Sequence, residues 1–194
     1  ENAGETTGEV VQSEVLVVGA GSAGITFALE AADAGHRVDL YTKESSPFED
    51  PESSSSVLLA GGYAAVPFEN GIPLPGDSFE THVGDTITVG GGINSEQAVR
   101  HFIRAFPGVI RWMERRGIQF DRDLHVEGSH SANRVYHVSD RTGQTVMSRL
   151  GELARTHPNI TVHTNQMAID LISRNTIRGA TERLDTCLGA YFLD

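Results

Sequence analysis

The sequence predicts an α/β fold, a parallel sheet flanked by helices, and three observations predict it. Val15-Leu-Val-Val18 is a continuous apolar run of strand length. It leads into Gly19-x-Gly21-x-x-Gly24 and a helical run, Ile25 to Ala34. A second strand-like segment, Arg37-Val-Asp-Leu-Tyr41, follows at once, and a strand–helix–strand order brings the two strands together in parallel.

The glycine spacing gives the first turn its chemistry. Gly19 permits a tight turn, Gly21 lets the backbone approach a pyrophosphate, and Gly24 lets the helix pack on the strand. The free N–H groups and positive dipole end of that helix then face the turn and stabilise an anion. A dinucleotide diphosphate is therefore the expected ligand. The end of the second strand is less specific, because Thr42-Lys43-Glu44 stands where an acidic residue often bonds the ribose and Glu44 comes two positions late. The Thr42 hydroxyl can still bond a ribose, and Lys43 adds positive charge near the phosphates.

The 194 residues suffice for one domain with a real core, or one domain and part of another. A net charge of -11 argues against nucleic acid and anionic lipid as partners. No apolar run approaches the roughly 20 residues of a membrane span, and residues 1 to 12 lack the regions of a secretory signal and read as a flexible leader. With Cys187 the sole cysteine, neither an intrachain disulfide nor a cysteine metal cluster can form, which fits a reducing cytoplasm. The eight histidines show no HxH or HExxH spacing, and no metal site is expected.

Ser45 to Ser56 reads as an exposed loop. In Val57 to Val66 the pair Gly61-Gly62 interrupts an apolar stretch, which predicts backbone approaching something flat; the preceding Ser54, Ser55 and Ser56 offer hydroxyls to the same ligand. Pro67 to Gly76 is another loop, and Gly90 to Gly92 a hinge or turn. Asn94 to Arg116 is the longest helix, capped by Asn94 with Gln97 as the reciprocal partner, kinked at Pro107 and ended by Gly117. Val99, Phe102, Ile103, Phe106, Ile110 and Met113 recur at helical spacing as its core face. A helix over Gln144 to Arg155 and strands at Ile160 to His163 and Met167 to Ile172 follow. Leu188 to Leu193 has strand character and reaches Asp194 with no closing helix, the pattern of an architecture cut short.

The order of these pieces resembles the flavoprotein family that contains L-aspartate oxidase and the flavoprotein subunits of succinate dehydrogenase and fumarate reductase. Val15 to Gly24 is similar to its FAD diphosphate motif, Tyr41-Thr-Lys43 to its second-strand ending, and Ser54 to Val66 to its serine-then-Gly-Gly flavin loop. The similarity runs on through Asp77 to Thr86 and Gly117 to Asp121 and covers most of residues 13 to 172. Glu127-Gly-Ser-His-Ser131, Arg134-Val-Tyr-His137 and Asp140-Arg-Thr-Gly143 resemble the L-aspartate oxidase branch, with Ser129 where the usual pattern has Gly.

The resemblance implies a Rossmann-like FAD-binding domain, a parallel sheet with helices plus a β-meander, over residues 13 to 194, with capping and C-terminal domains outside this chain. It implies FAD contacts from Gly19, Gly21, Ser22, Ala23, Gly24, Thr42, Lys43, Ser54, Ser55, Ser56, Gly61, Gly62 and Ala168. It places Glu127 at the substrate, where a carboxylate can pair with the α-ammonium of L-aspartate and distinguish it from succinate. The histidine that tethers FAD covalently in the succinate and fumarate enzymes falls near Ser55, so FAD is expected to be noncovalent. The family's Gln before the glycine pair is Ala60 here.

The implied reaction is oxidation of L-aspartate to iminoaspartate for quinolinate and NAD synthesis, with oxygen or fumarate as acceptor. No residue of this chain matches the family's catalytic ones, so the chain alone is expected to lack turnover. Three alternatives stay open: a succinate dehydrogenase or fumarate reductase flavoprotein, disfavoured by Ser55 and Glu127; a noncatalytic flavin module or piece of a split protein completed by a second polypeptide; and a plain NAD-binding domain, disfavoured by Val57 to Val66.

Overall fold

A computed structural model describes residues 10–50, 52–69, 72–179 and 186–194. Strand β1 (Val15–Val18) runs into helix α1 (Ser22–Asp33) and strand β2 (Val38–Tyr41). The middle of the chain carries α2 (Ser55–Leu58), β3 (Tyr63–Ala64), β4 (Phe68–Glu69), β5 (Ile72–Pro73), α3 (Phe79–Val89), α4 (Glu96–Arg115) and β6 (Val135–Tyr136). Then α5 (Thr142–Thr156) leads to β7 (Ile160–His163), β8 (Met167–Ser173), α6 (Arg174–Arg178) and β9 (Cys187–Leu193). Of the expected leader, residues 1–9 lie outside the described residues, and Val10 and Val11 are exposed.

The chain divides into two compact units, Glu1–Pro47 with Leu153–Asp194, and Phe48–Glu152. The first is built on a three-stranded parallel sheet in the order β1-β2-β7, with Val15 opposite Val38 and Val38 opposite Ile160. Central β2 buries Val38, Leu40 and Tyr41, the mostly apolar reading of a strand covered on both faces. Its one polar residue, Asp39, meets the His163 ring Nε2 at 2.8 Å. Helix α1 buries Ile25, Ala28, Leu29 and Ala32, an i, i+3, i+4, i+7 stripe. It stops because Gly35 turns left-handed at φ +96°, letting Gly35 N–H bond Ala32 and His36 N–H bond Ala31. The expected meander is represented among the described residues by the antiparallel pair β8–β9; Tyr41 stacks on Phe192 of β9 at 4.1 Å.

The second unit has a core of Val66, Val83 and Ile103, packed by Phe68, Phe79, Ile87 and Val99. Several expectations change here. Ser45 to Ser56 is not wholly an exposed loop: Phe48 is fully buried, in the space a Cβ at Gly151 would need, and α2 starts at Ser55. Ser95, not Asn94, caps α4, accepting from Ala98 N–H at 3.4 Å. The Asn94 amide instead lies against Gly90 and donates to the Thr86 carbonyl at 3.5 Å, closing the end of α3. Moving the cap by one residue removes Gln97 from the reciprocal position. Pro107 lies buried inside α4, and left-handed Gly117 follows the helix end as expected. Ile103, Ile110 and Met113 are buried as expected, whereas Phe102 is 59% exposed and stacks on Phe106 at 4.9 Å.

Candidate functional site

In the first unit the predicted diphosphate residues converge at the carboxyl ends of the parallel strands, where ligands of open α/β sheets bind. Gly19 follows β1 at φ +96°, and its N–H bonds the Tyr41 carbonyl at 2.8 Å, tying the glycine turn to the end of β2. A Cβ on Gly24 would run into the Gly19 carbonyl oxygen, so this glycine is required by helix–strand packing, as its position predicted. Gly21 is the N-cap of the 12-residue helix α1, in extended backbone, and supplies no side-chain cap, so the positive end of the helix faces the turn. Ser22 and Ala23 open that turn, both exposed.

Thr42 is buried at the end of β2, where its hydroxyl accepts from Glu44 N–H at 3.3 Å and its carbonyl from Gln166 N–H at 2.9 Å. That second bond brings the start of β8 to the same edge. Ala168 lies there, exposed and paired with Phe192. Lys43 is exposed, 3.5 Å from Glu44. The cradle closed to a Cβ at Gly24, the left-handed turn at Gly19 and the uncapped helix end together fit a dinucleotide diphosphate.

In the second unit the glycine pair meets the Glu127 motif. A Cβ on Gly61 would stand 2.6 Å from Glu127 Oε2, so the carboxylate occupies the space the missing side chain leaves. Gly62 has a different reason: its Cβ would strike the Tyr136 carbonyl and lie 2.6 Å from Val135 Cγ1, on β6. The pairing of β3 with β6 therefore demands Gly62 irrespective of any ligand. Ser54 caps α2 by accepting from Val57 N–H at 3.3 Å, Ser55 is exposed and Ser56 half-buried. The turn after α2 is fixed by Gly143 N–H, which bonds the Leu59 carbonyl at 2.8 Å.

Glu127 lines a concavity of about 460 Å³ with Gly62, Thr86, Ser129 and His130. A second hollow, about 520 Å³, shares Gly62, Thr86 and His130 and adds His82, Phe102 and Phe106, which accounts for the exposed Phe102. Beside them lies a network that the sequence motifs did not announce. Arg134, fully buried, donates to both oxygens of Asp77 at 2.9 and 2.6 Å and to Asp85 Oδ2 at 2.6 Å. It also reaches His130 Nδ1 at 3.0 Å; because guanidinium only donates, His130 is neutral with its proton on Nε2. Asp85 further accepts from the N–H and hydroxyl of Ser131 at 2.9 and 2.8 Å, pinning the far end of the Glu127–Ser131 loop.

These contacts set the local protonation states. Desolvation alone would raise the Asp85 carboxyl, but hydrogen bonds from Ser131 and Arg134 outweigh it and hold the group at about 2. His82 is lowered to about 4, first by burial and then by the Arg134 charge; its Nδ1 is buried without a hydrogen-bond partner. His130 is lowered for the same two reasons. No local signal in the sequence pointed to this network, because Arg134 stands between Asn133 and Val135 just before β6 and its two carboxylate partners lie 49 and 57 residues away.

Residues 14–193 match the FAD-binding domain family. The chain belongs to that family. Its cofactor is accordingly FAD, and the diphosphate turn described above fits it. Among curated relatives, this FAD-binding domain is 34% identical over 191 residues to L-aspartate oxidase of Vibrio cholerae, covering 93% of the chain and 33% of the relative. It is 35% identical over 166 residues to the chloroplastic L-aspartate oxidase of Arabidopsis thaliana, covering 82% and 24%. The chain thus spans about a third of the curated relatives it matches. Among solved structures it resembles the quinol fumarate reductase FrdA of E. coli, with TM-score 0.71 and 26% identity over 84% of this chain and 27% of that one. A flavocytochrome c3 fumarate reductase in its open conformation gives TM-score 0.72 and 27% identity, covering 84% and 28%. Among the described residues, no helix of the FAD-binding domain is long and apolar enough to cross a membrane.

Proposed function

We propose that this FAD-binding domain serves the oxidation of L-aspartate to iminoaspartate, the first step toward quinolinate and NAD, with oxygen or fumarate as final acceptor. The observation that carries the reading is the Glu127 carboxylate seated in the space beside Gly61 and lining a concavity with Thr86, Ser129 and His130. A partly buried carboxylate there offers a partner to an α-ammonium that succinate and fumarate lack. The Asp85–Ser131 and Asp85–Arg134 bonds hold the loop that bears it, so its position does not depend on the ligand. Neutral His130 keeps a donor at Nε2 for a carboxylate. Gly19, Gly21, Ser22, Ala23, Gly24, Thr42, Lys43 and Ala168 hold the nucleotide end of FAD, and Ser54, Ser55, Ser56, Gly61 and Gly62 the flavin end. Bound FAD supplies the hydride acceptor. Ser55 cannot form the histidine tether, so the cofactor is held without a covalent bond. No residue here is assigned a catalytic role.

Two measurements test this. Acid denaturation of the yellow protein should release the flavin to the supernatant, and flavin left on the polypeptide overturns the noncovalent reading. L-Aspartate and succinate should then be titrated into the FAD-loaded protein while flavin absorbance is followed. Glu127→Gln should weaken L-aspartate about ten- to a hundredfold, the worth of one buried charge-assisted hydrogen bond, and leave succinate nearly unchanged. Equal losses for both ligands, or no L-aspartate binding by the unsubstituted protein, overturn the substrate assignment.

A further inference from the structure

The concavity at Glu127 shares Gly62, Ala64, Thr86 and His130 with the neighbouring hollow of about 520 Å³. Their chemistry differs. Beyond the shared wall the second hollow is faced by Val99, Phe102, Ile103 and Phe106 of α4 and by Tyr63 of β3. Phe102 is 59% exposed and stacks on Phe106 at 4.9 Å, and the Tyr63 ring lies 6.2 Å from that of Phe106. Three rings side by side present apolar area that an apolar guest would remove from water. The charge around the two hollows has one sign. Asp85 and Glu127 line the first, and neither has a lysine or arginine among its described lining residues. Behind the wall Arg134 is already matched by Asp77 and Asp85, so with Glu127 three carboxylates stand against one guanidinium.

The two histidines of the second hollow add no positive charge to this balance. His130 accepts the Arg134 N–H at Nδ1, 3.0 Å away, and so holds no proton there. His82 is 4% exposed with its Nδ1 buried and unpartnered, and charging the ring would strand an N–H at that atom. A cation with an apolar body therefore meets a carboxylate at one end and aromatic faces at the other. An anion entering the second hollow meets carbon and neutral rings. We propose that the two hollows together bind a primary alkylammonium ion that carries an aromatic ring, its nitrogen at Glu127 and its ring against Phe102, Phe106 and Tyr63. This rests on the reading of Glu127 as an ammonium partner, and it widens the ligands of the site to amines that have no carboxylate. Gly61 contributes by leaving the space in which Glu127 Oε2 sits.

The probe is 2-phenylethylamine, measured by equilibrium dialysis against the full FAD-loaded chain at neutral pH, with L-aspartate dialysed in parallel. One amine per chain is expected. Phenylacetate, the same ring with the opposite charge, and ethylamine, the same charge without the ring, should each bind about tenfold or more weakly than the probe. Glu127→Gln and Phe102→Ser should each weaken the probe by about tenfold, and Phe102→Ser should leave L-aspartate unchanged, because L-aspartate has no apolar body to lose contact. Absence of probe binding overturns the proposal. So does phenylacetate binding as tightly as the amine, or probe binding that neither substitution weakens. L-Aspartate held through Glu127 by a chain that ignores the probe would overturn this inference and leave the substrate reading standing. A probe held through Glu127 and Phe102 by a chain that ignores L-aspartate would do the reverse.

Discussion

Acid should unfold the Phe48–Glu152 unit through His82, and the size of the effect follows from its burial. His82 titrates at about 4 in the folded chain against an ordinary 6.5, because it is buried beside the Arg134 charge. A histidine lowered on folding is charged more readily in the unfolded chain, so its contribution to stability is fully present above 6.5 and is lost as pH falls toward 4. Between about pH 7 and pH 4.5 the loss comes to about 2.5 kcal/mol, at 1.36 kcal/mol per pKa unit. Asp85, held at about 2, begins to cost stability only below its ordinary 3.8, so this window excludes it. His130 is lowered in the same direction and adds to the loss. The assay is urea unfolding followed by Trp112, the single tryptophan, which reports on this unit alone. His82→Gln and His82→Leu should each reduce the difference in unfolding free energy between the two pH values by about 2 kcal/mol, whatever they do to stability at neutral pH. An acid loss as large in both variants as in the unsubstituted chain refutes the assignment of the buried, neutral histidine.

Other expectations follow from single contacts. Arg134→Met strands Asp77 and Asp85 without their cation and should cost about 3–5 kcal/mol in the same urea assay; adding Asp77→Asn should recover part of that, and an unchanged loss would deny the pairing. Gly24→Ala drives a Cβ into the Gly19 carbonyl and should abolish FAD retention on desalting, whereas full flavin content in a folded variant contradicts the packing. Gly61→Ala meets only the mobile end of Glu127, so thermal stability should hold while L-aspartate affinity falls toward that of Glu127→Gln. Gly62→Ala meets β6 backbone and should instead destabilise the unit; equal stability losses at the two glycines would remove the distinction.

How much was legible beforehand differs between the two units. The diphosphate turn could be read because every part is local: a strand, three glycines and a helix stripe lie within twenty consecutive positions, Val15 to Ala34, and each rule involved is one of neighbours in sequence. The helix periodicities and strand runs were legible for the same reason. Where a choice depended on a partner in another element, sequence reasoning failed. Asn94 and Ser95 are both good caps, and it is the Thr86 carbonyl that takes Asn94 away. Gly61 and Gly62 look alike, yet one makes room for a side chain carboxylate and the other for a strand. Phe48 looked like part of a polar loop until Gly151 made a place for its ring.

The sequence alone determined the family, the cofactor's diphosphate turn and the presence of Glu127, since these rest on residue type and short spacing. Only tertiary structure decided that Arg134 would be buried between Asp77 and Asp85 and that His82 would be held neutral beside it. The physical reason is that desolvation and charge pairing act through space, at distances of a few ångströms that sequence separations of 49 and 57 residues do not specify.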